Sequence, residues 1–393
     1  MKSSFWKAGH TPTLLSAFLY FDLSFMVWVL LGPLAVQIAT DLSLTPAQKG
    51  LMVATPVLAG ALLRIVMGVL VDQIKPKNAG LIGQLIVIAS LLTAWLHGLQ
   101  TFQHTLLLGI GLGFAGAAFA VALPLASRWY PPEHQGTALG IAGAGNSGTV
   151  FAALFAPSLA VAYGWDNVFG LALIPLGFAL AIYLIFAKDS PDTPPAKSLS
   201  QYMTILKDKD AWWFMFFYSV TFGGFVGLAS SLTIYFNDLY ALGAVKAGYC
   251  TAACVFAGSL TRPIGGLLAD RIGGVRTLLI MYTIAAALLF VMSFGQPTYL
   301  LALAIIIPVM AVLGMGNGAV FQLVPQRFRK DIGVMTGLVG MAGGIGGFYL
   351  AASLGYFKQS TGSYQTGLMI FAGLAVLAII GLSGVKTDRK SVV

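Results

Sequence analysis

The sequence predicts an all-α membrane protein of twelve transmembrane helices, arranged as two pseudo-symmetric six-helix bundles. Three observations predict it. Hydrophobic residues make up 58% of the 393-residue chain and charged residues 9%, with a mean hydropathy of +0.86, so hydrocarbon is the solvent for most of its outer surface. Apolar runs of about 20 residues, the length that crosses a bilayer, recur twelve times between charges and turn residues. One of these runs is repeated: Gly60-x3-Arg64-x3-Gly68-x3-Asp72 returns without a gap at an offset of 198 as Gly258-x3-Arg262-x3-Gly266-x3-Asp270.

The spans are expected near 13–38, 47–71, 78–98, 104–127, 136–161, 166–187, 211–237, 246–269, 275–294, 297–322, 332–356 and 365–384. The first is too long for a signal-peptide core and has no small-residue cleavage site after it, which predicts a retained helix. The polar stretch from Lys188 to Asp210, with Pro191, Pro194 and Pro195, divides six spans from six. The expected organisation is a bundle over 1–187, a cytoplasmic linker over 188–210 and a second bundle over 211–393. A second alignment supports the duplication: Gly113, Pro124, Arg128, Gly136, Gly143 and Gly145 recur at an offset of 201 as Gly314, Pro325, Arg329, Gly337, Gly344 and Gly346.

Charge orients the chain. Lys7, Lys75, Lys77, Arg128, Lys188, Arg271, Arg276, Arg327 and most other basic residues fall on the side that holds both termini, against Lys49, Lys246 and Lys358 on the other. By the positive-inside rule both termini are cytoplasmic. The net charge of +9 is then a topology signal facing anionic lipid and calls for no nucleic-acid partner. Cys250 and Cys254, one turn apart inside a span, read as small core residues.

The repeated arginine is the functional signal. Its glycines lie one turn above and below it on the same helix face, leaving space beside a fixed positive charge. If Asp72 and Asp270 mark the water interface, each arginine lies about 12 Å deeper, near the bilayer midplane. A guanidinium there costs on the order of 2.5 to 3.5 kcal/mol and cannot shed its proton. Of thirteen acidic residues only Asp22 lies well inside a span, so one carboxylate faces two cations. Either an anion satisfies Arg64 and Arg262, or carbonyls, water and Asp22 hold them. No intramembrane histidine, lysine, metal-ligand spacing or nucleophile-base pair accompanies them, so no enzyme, metal site or cofactor is expected and the anion is small and singly charged. Duplicated halves of this kind place a binding site near the midplane, where the two arginines are expected to face each other.

Glycine crowds the fifth and eleventh spans: Gly143, Gly145 and Gly148 in one, Gly340, Gly343, Gly344, Gly346 and Gly347 in the other. Such density serves close helix packing and sliding, or lines a path for a small anion, or both. Asn146 interrupts the first set and Asn317 sits in Gly-Met-Gly-Asn-Gly; each amide either donates to an anion or bonds a neighbouring helix. Phe119, Tyr218, Phe222 and Phe321 pack the interior or flank a flat ligand.

At these residues the chain resembles the major facilitator superfamily over all twelve spans, and within it the nitrate/nitrite porter family. Gly68-x3-Asp72 and Gly266-x3-Asp270-Arg271-x-Gly273 with Arg276 are similar to the superfamily's cytoplasmic loop motif; the first copy departs from it at Gln73, where a basic residue is common. Gly143-Ala-Gly-Asn-Ser-Gly148 with Ala153-Leu-Phe-Ala-Pro157, and Gly340-Met-Ala-Gly-Gly-Ile-Gly-Gly-Phe-Tyr349, resemble the two nitrate signatures. The resemblance implies that Arg64 and Arg262 clamp the anion, Asn146 hydrogen-bonds it, and Phe119 and Phe222 sandwich it near Tyr218. Tyr20-Phe-Asp-Leu-Ser-Phe-Met-Val-Trp28 resembles the first span of the proton-coupled branch, which makes Asp22 the candidate for coupling. The resemblance implies a nitrate and nitrite transporter, with proton symport for nitrate assimilation as the mode; a bacterial inner membrane is expected from a compact chain without long loops, and a monomer as the working unit. Nitrate/nitrite exchange, anion sensing and carriage of another small anion are the alternatives.

Overall fold

The computed structural model describes residues 5–191, 203–328 and 332–385. Part of the 188–210 linker and Arg329 therefore lie outside the described residues. Twelve helices among them are long and apolar enough to cross a membrane: α1 Thr11–Asp41, α2 Pro46–Ile74, α3 Pro76–His97, α4 Phe102–Ser127, α5 Thr137–Tyr163, α6 Trp165–Phe186, α7 Lys209–Tyr240, α8 Ala244–Ile272, α9 Gly274–Ser293, α10 Tyr299–Arg327, α11 Gly333–Thr361 and α12 Gln365–Gly384. Each lies where the hydropathy predicts it. The starts follow local chemistry. Thr45 and Gln48 cap α2 reciprocally ahead of Pro46, and α4 and α10 begin on Thr101 and Thr298, whose hydroxyls accept from the amides three residues on.

The chain forms two compact units. One comprises Met1–Lys197 with Ala229–Ala252; the other comprises Ser198–Leu228 with Ala253–Val393. The end of α7 and the start of α8 thus pack within the first unit. Gly32 of α1 lies against the Ser230 backbone, Gly248 of α8 against Pro157 and the Ala153 carbonyl, and Lys49 pairs with Asp238 at 3.4 Å.

The duplication is visible in how each unit packs internally. In the first, a Cβ on Gly60 would meet the Trp28 indole and one on Gly113 would meet Ala59 and Gly60. In the second, Gly258 faces Phe225 and Gly314 faces the Gly258 carbonyl. These contacts keep the offsets of 198 and 201 read from α2/α8 and α4/α10. For α5/α11 the packing corrects the sequence register. Gly145 lies on Phe21 and Gly148 on the Asp22 carbonyl, whereas Gly343 lies on Tyr218 and Gly346 on the Ser219 carbonyl. The spatial offset is 198 rather than 201, because glycine-rich helices align with themselves in several registers and only the partner helix selects one.

The units differ in one respect. α1 is interrupted at Val29 and Leu30, α4 at Ala117, and α5 by the 3-10 turn Ala144–Ser147. Their counterparts α7, α10 and α11 are single α-helices. Apolar periodicity predicts uninterrupted spans and does not see these breaks.

Repeat and backbone also disagree at one loop position. Lys75 has φ 72 and ψ 154, a region open mainly to glycine, and its partner at the offset of 198 is Gly273 with φ 91. Lys75→Gly is expected to stabilise the first unit by about 1 kcal/mol, read as a rise in the unfolding midpoint of the purified protein.

Candidate functional site

Arg64 is 2% exposed, in the middle of α2. Its guanidinium carbon stands 5.1 Å from the Phe119 ring centroid and 5.5 Å from that of Trp28, and its Nε donates to the Gly116 carbonyl at 3.3 Å. That carbonyl is offered by the break in α4, where the Ala120 amide bonds to Ala117 at 2.9 Å. Trp28 is fixed in turn, its Nε1 donating to the Pro56 carbonyl at 2.7 Å. Two aromatic faces and an aimed carbonyl suit a planar cation.

Asp22 is 4% exposed, and its carboxylate accepts from Ser147 Oγ at 2.7 Å and from the Gly148 amide. It forms no ion pair among the described residues. The one carboxylate deep in a span is therefore held by a hydroxyl and an amide, not by either arginine. Asn146 is buried on the same 3-10 turn, and its Oδ1 has no donor among the described residues.

In the second unit Arg262 is half-buried on α8, just ahead of Pro263. Its guanidinium carbon lies 5.7 Å from the Phe321 ring, and its buried Nη1 has no acceptor among the described residues. Tyr218 stacks on Phe222, with ring centroids 5.0 Å apart and planes at 6°, and meets Phe321 edge-on at 4.9 Å. Arg262, Phe321, Tyr218 and Phe222 thus form one cluster in this unit, as Arg64, Phe119 and Trp28 do in the other.

The glycines divide. Gly145, Gly148, Gly343 and Gly346 lie on backbone or rings of α1 or α7, and Gly347 receives Gly223 and Gly227 of α7. A Cβ on Gly143 would meet open space. Asp72 of the first loop motif pairs with Arg128 at 3.0 Å. Asp270, Arg271 and Arg276 of the second are exposed. Sequence reasoning missed Trp28, Ser147 and the Gly116 carbonyl as parts of these arrangements. For Trp28 a signal existed: Phe21, Phe25 and Trp28 are spaced four and three residues apart and share one helix face.

Twelve apolar helices, doubled six by six with an arginine inside a span of each half, define a secondary-transporter fold. The profile of the Major Facilitator Superfamily matches residues 15–351. A solved bacterial homolog of the human lysosomal transporter Spinster, in an inward-facing and unoccupied conformation, superposes with a TM-score of 0.70 at 19% identity, covering 96% of each chain. Similar relatives include the nitrite extrusion protein of Bacillus subtilis, 31% identical over 91% of this chain and 89% of that protein. The probable nitrate/nitrite transporter NarK2 of Mycobacterium tuberculosis is 32% identical over 90% and 91%. The probable nitrate/nitrite antiporter NarK1 of Thermus thermophilus is 30% identical over 92% and 88%. The chain belongs to the major facilitator superfamily and, within it, to the nitrate/nitrite porter family. It is a multi-pass membrane transporter and not an enzyme.

Proposed function

We propose that this protein carries nitrate and nitrite across a bacterial inner membrane by alternating access, with Arg64 and Arg262 holding the anion and with nitrate uptake coupled to protons. The observation that carries the reading is Arg262 Nη1, a buried donor of a permanent cation with no acceptor among the described residues. An unmatched donor of that kind costs several kcal/mol unless something supplies an acceptor, and a small oxyanion does so. A planar trigonal anion matches the guanidinium fork, and the rings beside each arginine match its flat faces. The relatives' names point to the same two anions. The wider assignments follow from this reading: cytoplasmic termini from the Lys and Arg asymmetry, Asn146 as a donor to the anion, Phe119, Phe222 and Tyr218 as its aromatic surround, and a monomer as the working unit.

Occupancy becomes a condition for switching. Two like charges oppose closure until an anion offsets them, so the loaded carrier reorients more readily than the bare one. Proton coupling is assigned to Asp22, a carboxylate buried in α1 that accepts from Ser147 of the turn that carries Asn146. Nitrate/nitrite exchange is the second reading, favoured by the name of the Thermus thermophilus relative.

Purified protein in liposomes separates the two. Wild type is expected to accumulate nitrate under an inward proton gradient. Asp22→Asn is expected to lose most of that accumulation, on the order of tenfold, while nitrate still exchanges for nitrite. Undiminished gradient-driven accumulation in Asp22→Asn would remove Asp22 from the coupling. Absence of nitrate flux in wild type, with binding preserved, would replace transport by sensing.

A further inference from the structure

In the first unit the Arg64 guanidinium rests on a backbone carbonyl, that of Gly116, offered by the break in α4. At the offset of 201 that relates α4 to α10, Asn317 occupies the place of Gly116. α10 runs unbroken through Asn317, so the backbone carbonyl at this position stays within the helix, and no α10 carbonyl accepts from Arg262 among the described residues. What the position offers instead is an amide side chain. Asn317 is 1% exposed and its Oδ1 has no donor among the described residues, while Arg262 Nη1 has no acceptor.

The two groups sit on helices packed closely against each other. α8 and α10 touch through backbone here: a Cβ on Gly318 would strike the Arg262 carbonyl, and one on Gly314 the Gly258 carbonyl. Phe321, over whose ring the Arg262 guanidinium lies, is four residues beyond Asn317 and on the same helix face, about 6 Å along the axis. That distance is within the swing of an arginine side chain.

We propose that Asn317 is a positioning residue for Arg262: its amide oxygen receives Nη1 while the anion site is empty and releases it when an anion arrives. The proposal rests on the anion-transport reading above and specifies how that site is regulated. A carrier that takes up anion net must return empty, with Arg262 deprived of its ligand. An exchanger returns loaded and needs no substitute acceptor. Asn317 therefore matters to net uptake more than to exchange. An aspartate in its place would hold Arg262 permanently and compete with the anion.

The test compares wild type, Asn317→Leu and Asn317→Asp in liposomes, with nitrate trapped inside for exchange or absent for net uptake. For Asn317→Leu the ratio of net uptake to exchange is expected to fall about tenfold, the effect of losing a hydrogen bond to a charged group. Asn317→Gly, which restores the residue of the first repeat, gives the same split if the leucine variant does not fold. Asn317→Asp is expected to raise the KM for nitrate about tenfold or more in both modes. Solid-state NMR of anion-free, 15N-arginine-labelled protein, with Arg262 assigned from Arg262→Lys, supplies a readout that needs no transport. A slowly rotating Nη1 is expected in wild type and its loss in Asn317→Leu. An unchanged flux ratio, an unchanged KM in Asn317→Asp, a wild type that exchanges but never takes up nitrate net, or identical Arg262 signals in both proteins would overturn the proposal. A wild type with no nitrate flux in either mode would fell the transport reading instead, and the NMR comparison would still decide the role of Asn317.

Discussion

Replacing Arg64 by lysine is expected to abolish nitrate transport although the charge is kept. Arg64 is 2% exposed, its guanidinium donating at Nε to the Gly116 carbonyl and set beside the Phe119 and Trp28 rings. An ammonium cannot reproduce that arrangement: it has no plane to lay against a ring, and, on the proposed reading, it offers a point charge where a fork would grip two oxygens of the anion at once. Disrupting one member of a buried, hydrogen-bonded charge pair typically costs about 2 to 5 kcal/mol, so kcat/KM for nitrate is expected to fall at least about a hundredfold. Initial rates in proteoliposomes measure it, with monodispersity on size exclusion showing that the variant is folded. Transport within threefold of wild type would mean that charge alone suffices at this position.

The second large effect is expected from a single methyl group. A Cβ on Gly148 would collide with the Asp22 carbonyl, and one on Gly346 with the Ser219 carbonyl. Both obstacles are backbone and cannot swing aside. Alanine gains up to about 1 kcal/mol of helix propensity over glycine, whereas overpacking costs about 1 to 3 kcal/mol or more, so the collision wins. Gly148→Ala and Gly346→Ala are each expected to lower the thermal midpoint and to cut transport severalfold. Gly143→Ala, facing open space, is the control and is expected to be neutral or slightly stabilising. Equal effects at Gly143 and Gly148 would show that these glycines act through helix flexibility and not through contact.

The candidate site was partly legible in the sequence. Arg64 and Arg262 announced themselves because an intramembrane arginine is costly and this one is duplicated with its flanking glycines. Asp22 was legible for the same reason. Its partners were not: Ser147 and Gly148 lie more than 120 residues away in the chain, and α5 turns them toward α1 only through the 3-10 turn Ala144–Ser147. Trp28 was hidden by its surroundings, since one aromatic among many apolar neighbours carries no mark of facing a cation. The α5/α11 register could not be read either, because repeated glycines match at several offsets and the Phe21/Asp22 and Tyr218/Ser219 backbones decide among them.

By itself the sequence determined the solvent, the number of crossings, the duplication and the two intramembrane cations. Each of those follows from transfer free energy along a helix, a property of single residues and their spacing. Only the tertiary structure decided what each cation touches: a carbonyl released by a broken helix for Arg64 and an aromatic ring for Arg262, whose Nη1 has no acceptor among the described residues. The two halves repeat the same arginine, but whether a backbone carbonyl reaches it depends on where a neighbouring helix breaks, and hydropathy does not register a break.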